Sequence, residues 1–165
     1  MRPNSRSKPR RSSKSVAHPQ RSPLVLDAAT SARLARIRQK DTAPELRVRA
    51  LLRLVGRRYR LSNRDLPGSP DIANRSERWA LFVHGCFWHA HRGCRRASVP
   101  KRNSEFWQAK FDANRARDMR VTRALKKLGF RVEIVWACEL DDKPEEVLRR
   151  LRALPVGHDS AKRES

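Results

Sequence analysis

Apolar side chains are scarce over the first 23 residues and then recur, with helical or strand spacing, to about residue 154. Ser31 to Gln39 sets Leu34 and Ile37 three apart, which predicts a short helix. A clearer helix begins at Thr42. Thr42-Ala43-Pro44-Glu45 has the form of a capping box with Glu45 returning a hydrogen bond to the cap, and Val48, Leu51, Leu52 and Val55 follow at i, i+3, i+4, i+7. Gly56 is expected to end it. Tyr59 to Asn63 reads as extended, and Pro67-Gly68-Ser69-Pro70 as a turn that delivers Asp71. A hairpin through Asn74-Arg75-Ser76-Glu77 then leads into Trp79 to Val83, an apolar run of strand length suited to the middle of a sheet. Ser104 and Glu105 open a long helix that stops at Gly129, with Phe111, Met119, Leu125 and Leu128 as its expected apolar stripe. Arg131 to Trp136 predicts another strand, and Pro144 a last helix with Val147, Leu148, Leu151 and Leu154 on one face. Helix, hairpin, strand, long helix, strand and helix in that order describe a small α/β domain, a mixed sheet flanked by helices.

Length and charge sharpen this picture. The 165 residues suffice for one domain with one substantial core. Residues 1–28 read as a disordered basic arm, since Arg2, Arg6, Lys8, Arg10, Arg11, Lys14 and Arg21 lie among Ser and Pro with almost nothing to bury. The folded domain is expected over 29–154, with a short tail over 155–165. Thirty-nine Lys and Arg against seventeen Asp and Glu leave a net charge of +22, which points to a polyanionic partner, nucleic acid above all. A membrane is disfavoured, because no apolar run approaches the roughly 18 residues of a spanning helix and the chain does not open on a signal peptide's apolar stretch. Three cysteines, two of them among histidines, suit a metal site in a reducing cytosol better than a disulfide framework.

The chemistry concentrates in one stretch. In Phe82-Val83-His84-Gly85-Cys86-Phe87-Trp88-His89-Ala90-His91-Arg92-Gly93-Cys94, three of the five histidines fall at the end of the buried strand. Cys86, His91 and Cys94 can supply three ligands of a tetrahedral Zn²⁺ from one loop, and Cys138, just past the strand ending at Trp136, is the remaining thiol for a fourth. His89 competes with His91 for the imidazole position, and spacing alone does not choose. Cutting a phosphodiester requires a hard cation, and so a carboxylate held rigidly near these histidines. Asp71, behind its two prolines and glycine, meets that description; the plainer reading is a turn carboxylate accepting backbone hydrogen bonds.

Pro67-Gly68-Ser69-Pro70-Asp71, the block from Phe82 to His89, Glu105-Phe106-Trp107 and Val135-Trp136-Ala137-Cys138-Glu139 occur in an order that resembles the very-short-patch mismatch-repair endonucleases, the Vsr family, over about residues 30–142. The resemblance implies a fold related to restriction endonucleases and a bacterial, cytoplasmic enzyme, at the nucleoid when on DNA. It implies nicking of one strand on the 5′ side of the thymine in a T·G mismatch left by deaminated 5-methylcytosine. On the matching positions Asp71 and the backbone carbonyl of Val83 would bind catalytic Mg²⁺, His84 and His89 would handle protons, and Glu45 would hold a water of the metal's shell. Asp118 matches a further acidic position near the histidines; ordinary pairing along its helix is the simpler account. Phe87, Trp88 and Trp107 match aromatics that wedge into the base stack beside the mismatch, where core packing is the alternative. The implied partners are double-stranded DNA carrying a T·G mismatch and other mismatch-repair proteins, bound by a monomer. Between His91 and Cys94 the spacing departs by one residue from the family pattern, and the basic arm is additional.

Two other readings compete with the mismatch endonuclease. A zinc-stabilised DNA-binding module without catalysis explains the charge, the Cys/His cluster and the aromatics, but has no use for Asp71 beside Phe82-Val83-His84. A nuclease of the same fold acting on another nucleic acid is separated only by its substrate.

Overall fold

The computed structural model describes residues 40–156 together with Ala32 and Arg36. The basic arm expected over 1–28, nearly all of the short helix expected over 31–39, and the tail beyond Val156 lie outside the described residues.

The first described helix, α1 (Ala43–Leu54), buries Val48 and Leu52 and packs Leu51 and Val55 beside them, as the i, i+3, i+4, i+7 spacing predicts. Its start differs from the expected capping box. The Glu45 carboxylate does reach back, but it accepts from the Asp41 N–H at 3.0 Å and from the Thr42 hydroxyl at 2.8 Å. The Thr42 side chain therefore donates to Glu45 instead of capping a backbone N–H. The helix closes as a Schellman turn, with Gly56 at φ +69° and the Arg57 N–H on the Leu52 carbonyl at 2.9 Å. Arg57 then caps the far end of the chain, donating to the Leu154 and Pro155 carbonyls at 2.7 and 3.3 Å.

Three strands follow: β1 (Ile72–Asn74), β2 (Trp79–His84) and β3 (Arg131–Trp136), in the spatial order β1-β2-β3. β1 runs antiparallel to β2 through the expected hairpin, with Ile72 opposite Leu81. β3 runs parallel to β2, with His84 opposite Trp136. The extended segment expected over 59–63 contributes a single bridge, Arg60 to Ala73, because its chain turns away at Ser62, which has φ +58°.

Strand alternation splits the core into two layers. Ile72, Trp79, Leu81 and Val135 meet α1 and the carboxyl-terminal helices α3 (Glu139–Asp142) and α4 (Pro144–Arg152), through Val48, Leu52, Leu140, Val147, Leu151 and Leu154. The short α3 has no apolar period of its own and was not expected. Ala73, Ala80, Phe82 and Val132 meet the long helix α2 (Ser104–Lys127) through Val121 and Leu125. The stripe expected on α2 needs correction. Phe111 and Leu125 are buried, but Met119 and Leu128 are 56 % and 50 % exposed. The inward face carries Trp107, Phe111, Asn114 and Leu125, with Asp118 and Val121 partly covered, so two polar residues interrupt it. Among the described residues no helix is long and apolar enough to cross a membrane.

Candidate active site and Cys/His cluster

Leu66-Pro67-Gly68-Ser69 forms a type II turn, closed by the Ser69 N–H on the Leu66 carbonyl at 3.0 Å with Gly68 at φ +72°. The buried Asn63 amide ties the turn down, donating to the Arg60 and Pro70 carbonyls at 3.0 and 3.1 Å. The turn leads into Asp71, whose Oδ2 accepts the Val83 N–H at 2.7 Å. A strand residue directs its N–H and C=O to the same side, so the Val83 carbonyl faces the β1 edge as well. Burial raises the Asp71 carboxyl above the usual carboxylate range; the Val83 N–H opposes this, and the charge of Glu45 adds to it.

Asp71 lies in a cleft of about 770 Å³ whose walls include Glu45, Val83, His84, His89 and Asp118. Glu45 thus sits at a helix start that also faces the site, bonded to the Asp41 N–H and the Thr42 hydroxyl and not in the expected capping box. Arg49 holds it there, 3.4 Å from Glu45 and 2.6 Å from Asp41. At the end of β2 the His84 and His89 rings stack, 3.7 Å between centroids and 8° from parallel. His89 Nδ1 lies 2.6 Å from Asp118 Oδ2, so Asp118 pairs across to the loop as well as with Arg117 on its own helix, at 3.6 Å. Burial, with the neighbouring His89 second, lowers the His84 pKa to about 4, which leaves that imidazole neutral at physiological pH. Asn114, one of the polar breaks in α2, donates to the Trp88 carbonyl at 2.7 Å and so holds the His89 loop from the same helix face as Asp118. Lys110 and Arg117 add positive charge to the α2 wall.

Behind this cleft, Cys86, His91, Cys94 and Cys138 bring their donor atoms within 4.8 Å of one another. His91 takes the imidazole position, 3.3 Å from Cys138 Sγ, whereas His89 pairs with His84 and Asp118 in the cleft. Three thiols and an imidazole at this spacing, without a disulfide, fit the tetrahedral donor set that a Zn²⁺ ion takes, and the four could hold a metal ion. Burial and then the neighbouring Cys86 and Cys94 push the Cys138 thiol up to about 12; a cation among the four donors would offset that penalty on the thiolates. Arg96 links the loop to α3 through Asp141 at 2.6 Å.

The expected wedge aromatics pack together. Phe87 makes edge contacts with Trp88, Trp107 and Phe111 at 5.2, 5.1 and 5.3 Å. Phe87 and Trp88 are half-buried, while Trp107 is 5 % exposed and sits in the core of the cluster. Phe106 joins from the same helix turn, 5.4 Å from Trp107. Sequence patterns do not single out Asn63, Arg49 or Asn114, and Trp136 stands only as one residue of the Val135–Glu139 motif with no role of its own, although the two polar residues on the inner face of α2 are a usable signal once that face is known.

Comparison with known proteins accords with these motifs. A family model described as DNA mismatch endonuclease Vsr matches residues 25–96. The type II nicking enzyme V.XorIIP of Xanthomonas oryzae pv. oryzae is 52 % identical over 109 residues, covering 66 % of this chain and 79 % of the relative. The DNA mismatch endonuclease Vsr of Escherichia coli (strain K12) is 43 % identical over 117 residues, 70 % of this chain and 74 % of the relative. The type II nicking enzyme V.NmeAIP of Neisseria meningitidis is 40 % identical over 120 residues, 72 % and 85 %. On its motifs, its site geometry and these relatives, the chain belongs to the Vsr family.

Proposed function

We propose that this chain is a DNA endonuclease that hydrolyses one strand 5′ to the thymine of a T·G mismatch, with Mg²⁺ for the chemistry and Zn²⁺ for the shape of the loop, on a restriction-endonuclease-like core. The observation that supports it most is the gathering of Asp71, Glu45, His84, His89 and Asp118 on one cleft. A binding module has no need of two carboxylates facing each other there, one of them destabilised as an anion by burial. Oxygen donors in that arrangement suit a hard divalent cation, and Asp71 with the Val83 carbonyl would hold it. When bound, Mg²⁺ supplies positive charge to the phosphate and makes water more acidic.

The remaining work falls to side chains. Glu45 orients water at the mouth of α1. The His84–His89 pair supplies one proton acceptor for the attacking water, as the new P–O bond forms, and one donor for the departing sugar oxygen as the old bond breaks. Asp118 fixes the His89 ring through Nδ1, so that Nε2 is the working nitrogen. Lys110 and Arg117 attract the phosphate backbone. Phe87 and Trp88, backed by Trp107, enter the stack beside a mismatch that is already cheap to open. The substrate is duplex DNA carrying the mismatch, met by a monomer that works in the bacterial cytoplasm with other mismatch-repair proteins.

The test is nicking of an oligonucleotide duplex with one T·G pair against T·A and C·G controls, with and without Mg²⁺. A single nick confined to the T·G duplex and dependent on Mg²⁺ is expected. Tight binding with no cut in any duplex would leave a zinc-stabilised DNA-binding module, and equal cutting of all three would leave a nuclease of another specificity.

A further inference from the structure

Trp136 is the residue at which the two side-chain clusters meet. Its indole lies flat on the His91 ring, 4.0 Å between centroids and 3° from parallel. The same indole makes edge contacts with His84 at 5.2 Å and 76°, and with His89 at 6.3 Å and 77°. Its backbone is pinned from two sides. The β3 register sets it opposite His84, and its N–H donates to Glu139 Oε2 at 2.8 Å, a carboxylate that Arg150 also holds at 2.7 Å. Strand alternation puts His84 and Trp136 side by side on the face toward α2.

We propose that Trp136 is a positioning residue for the reaction: clamped on the His91 ring, its edge sets where the His84–His89 stack sits over the cleft. This rests on the catalytic reading given above for the two imidazoles. An edge-to-face contact has a preferred geometry because the positive ring edge meets the negative π face, so it restricts rotation as well as distance. Asp118 restrains His89 by a hydrogen bond. Among the described residues the rings that contact His84 are His89, Trp136 and Phe82, and of these three Trp136 is the one stacked on a member of the Cys/His cluster. Proton transfer needs the imidazole placed to within a fraction of an ångström, and a shift of about 1 Å can cost about a hundredfold in rate.

The experiment uses the full chain with zinc bound and compares wild type, Trp136→Phe and Trp136→Leu. Single-turnover nicking of the T·G duplex gives the rate, binding of the same duplex without Mg²⁺ gives Kd, and NOEs from the His84 and His89 ring protons to each other and to the side chains around them give the position of the rings, since loss of the indole ring current moves the chemical shifts by itself. With five histidines in the chain the spectrum is tractable. Trp136→Leu is expected to lower the rate by about 10- to 100-fold with Kd changed by less than about threefold. The His84 and His89 NOE pattern should change in the same variant. Trp136→Phe should fall between on both the rate and the NOEs. A wild-type rate in Trp136→Leu overturns the proposal, as does a parallel loss of rate and affinity with an unchanged NOE pattern. Should Trp136→Leu not fold, Trp136→Phe decides, and a changed NOE pattern with an unchanged rate would refute it. If the wild-type protein itself makes no nick, the functional reading fails, while the NOEs still report whether the indole places the imidazoles.

Discussion

At the scale of single residues, the site is built from side chains that each have a reason to be where they are and a cost for being there. His84 is 6 % exposed and its pKa is held near 4 against an ordinary 6.5. Its folded form binds a proton less readily than its unfolded form, so acidification from about pH 6.5 toward pH 4 must favour unfolding. That contribution is on the order of 2–3 kcal/mol. Replacing His84 with Gln is expected to flatten the fall of the melting temperature across this window, as thermal unfolding at several pH values would show; an identical slope would mean that His84 is not the group titrating there. Asp118 offers a second check. Asp118→Asn leaves a hydrogen-bonding partner for His89 but removes the charge, and should lower the single-turnover nicking rate by about 10²-fold while DNA binding persists. Much of the grouping at this scale was legible in the sequence, where type and spacing brought Cys86, Cys94 and Cys138 together and the family resemblance brought Asp71, His84 and His89 together. Trp136 and Asn63 do not, because a packed indole and a buried amide acquire their roles only from neighbours distant in the chain.

At the scale of elements, the site depends on how closely the turn before Asp71 approaches α2. A Cβ added to Gly68 would lie 2.4 Å from a Val121 methyl, at a φ of +72° that only glycine adopts without strain. Gly68→Ala should therefore destabilise the domain by about 1–3 kcal/mol in denaturant unfolding and slow nicking by displacing Asp71. Adding Val121→Ala should recover the steric part and leave the backbone strain; no recovery at all would place the close approach elsewhere. The strands, the hairpin and the carboxyl-terminal ends of α1 and α2 follow from periodicity and from Gly56 and Gly129. The inner face of α2 was misread for a physical reason. Met119 and Leu128 look like core by composition, but the true inward stripe carries Asn114 and Asp118, and a stripe opened by polar residues for a site loses the apolar period that identifies it. The start of α1 was misread in the same way, since Glu45 is drawn to Arg49 and the cleft as well as to the cap.

At the scale of the whole molecule, charge and metal set the conditions under which the cleft works. A net charge of +22 on 165 residues predicts DNA affinity that falls steeply with salt. Removing residues 1–28, with their seven Lys and Arg, should make that slope shallower by up to about 6 if every one meets a phosphate, and an unaltered slope would show that none does. On the proposed reading, stripping zinc should lower the melting temperature with Mg²⁺ in excess, because an ion held by Cys86, His91, Cys94 and Cys138 would join the β2 loop to the segment after β3. Unchanged stability after complete metal removal would reject that ligand set. The most direct test of the central claim compares Asp71→Ala with wild type on the T·G duplex in Mg²⁺. The account predicts a single-turnover rate lower by at least about 10²- to 10³-fold with duplex binding retained, and a variant that nicks at the wild-type rate would contradict it.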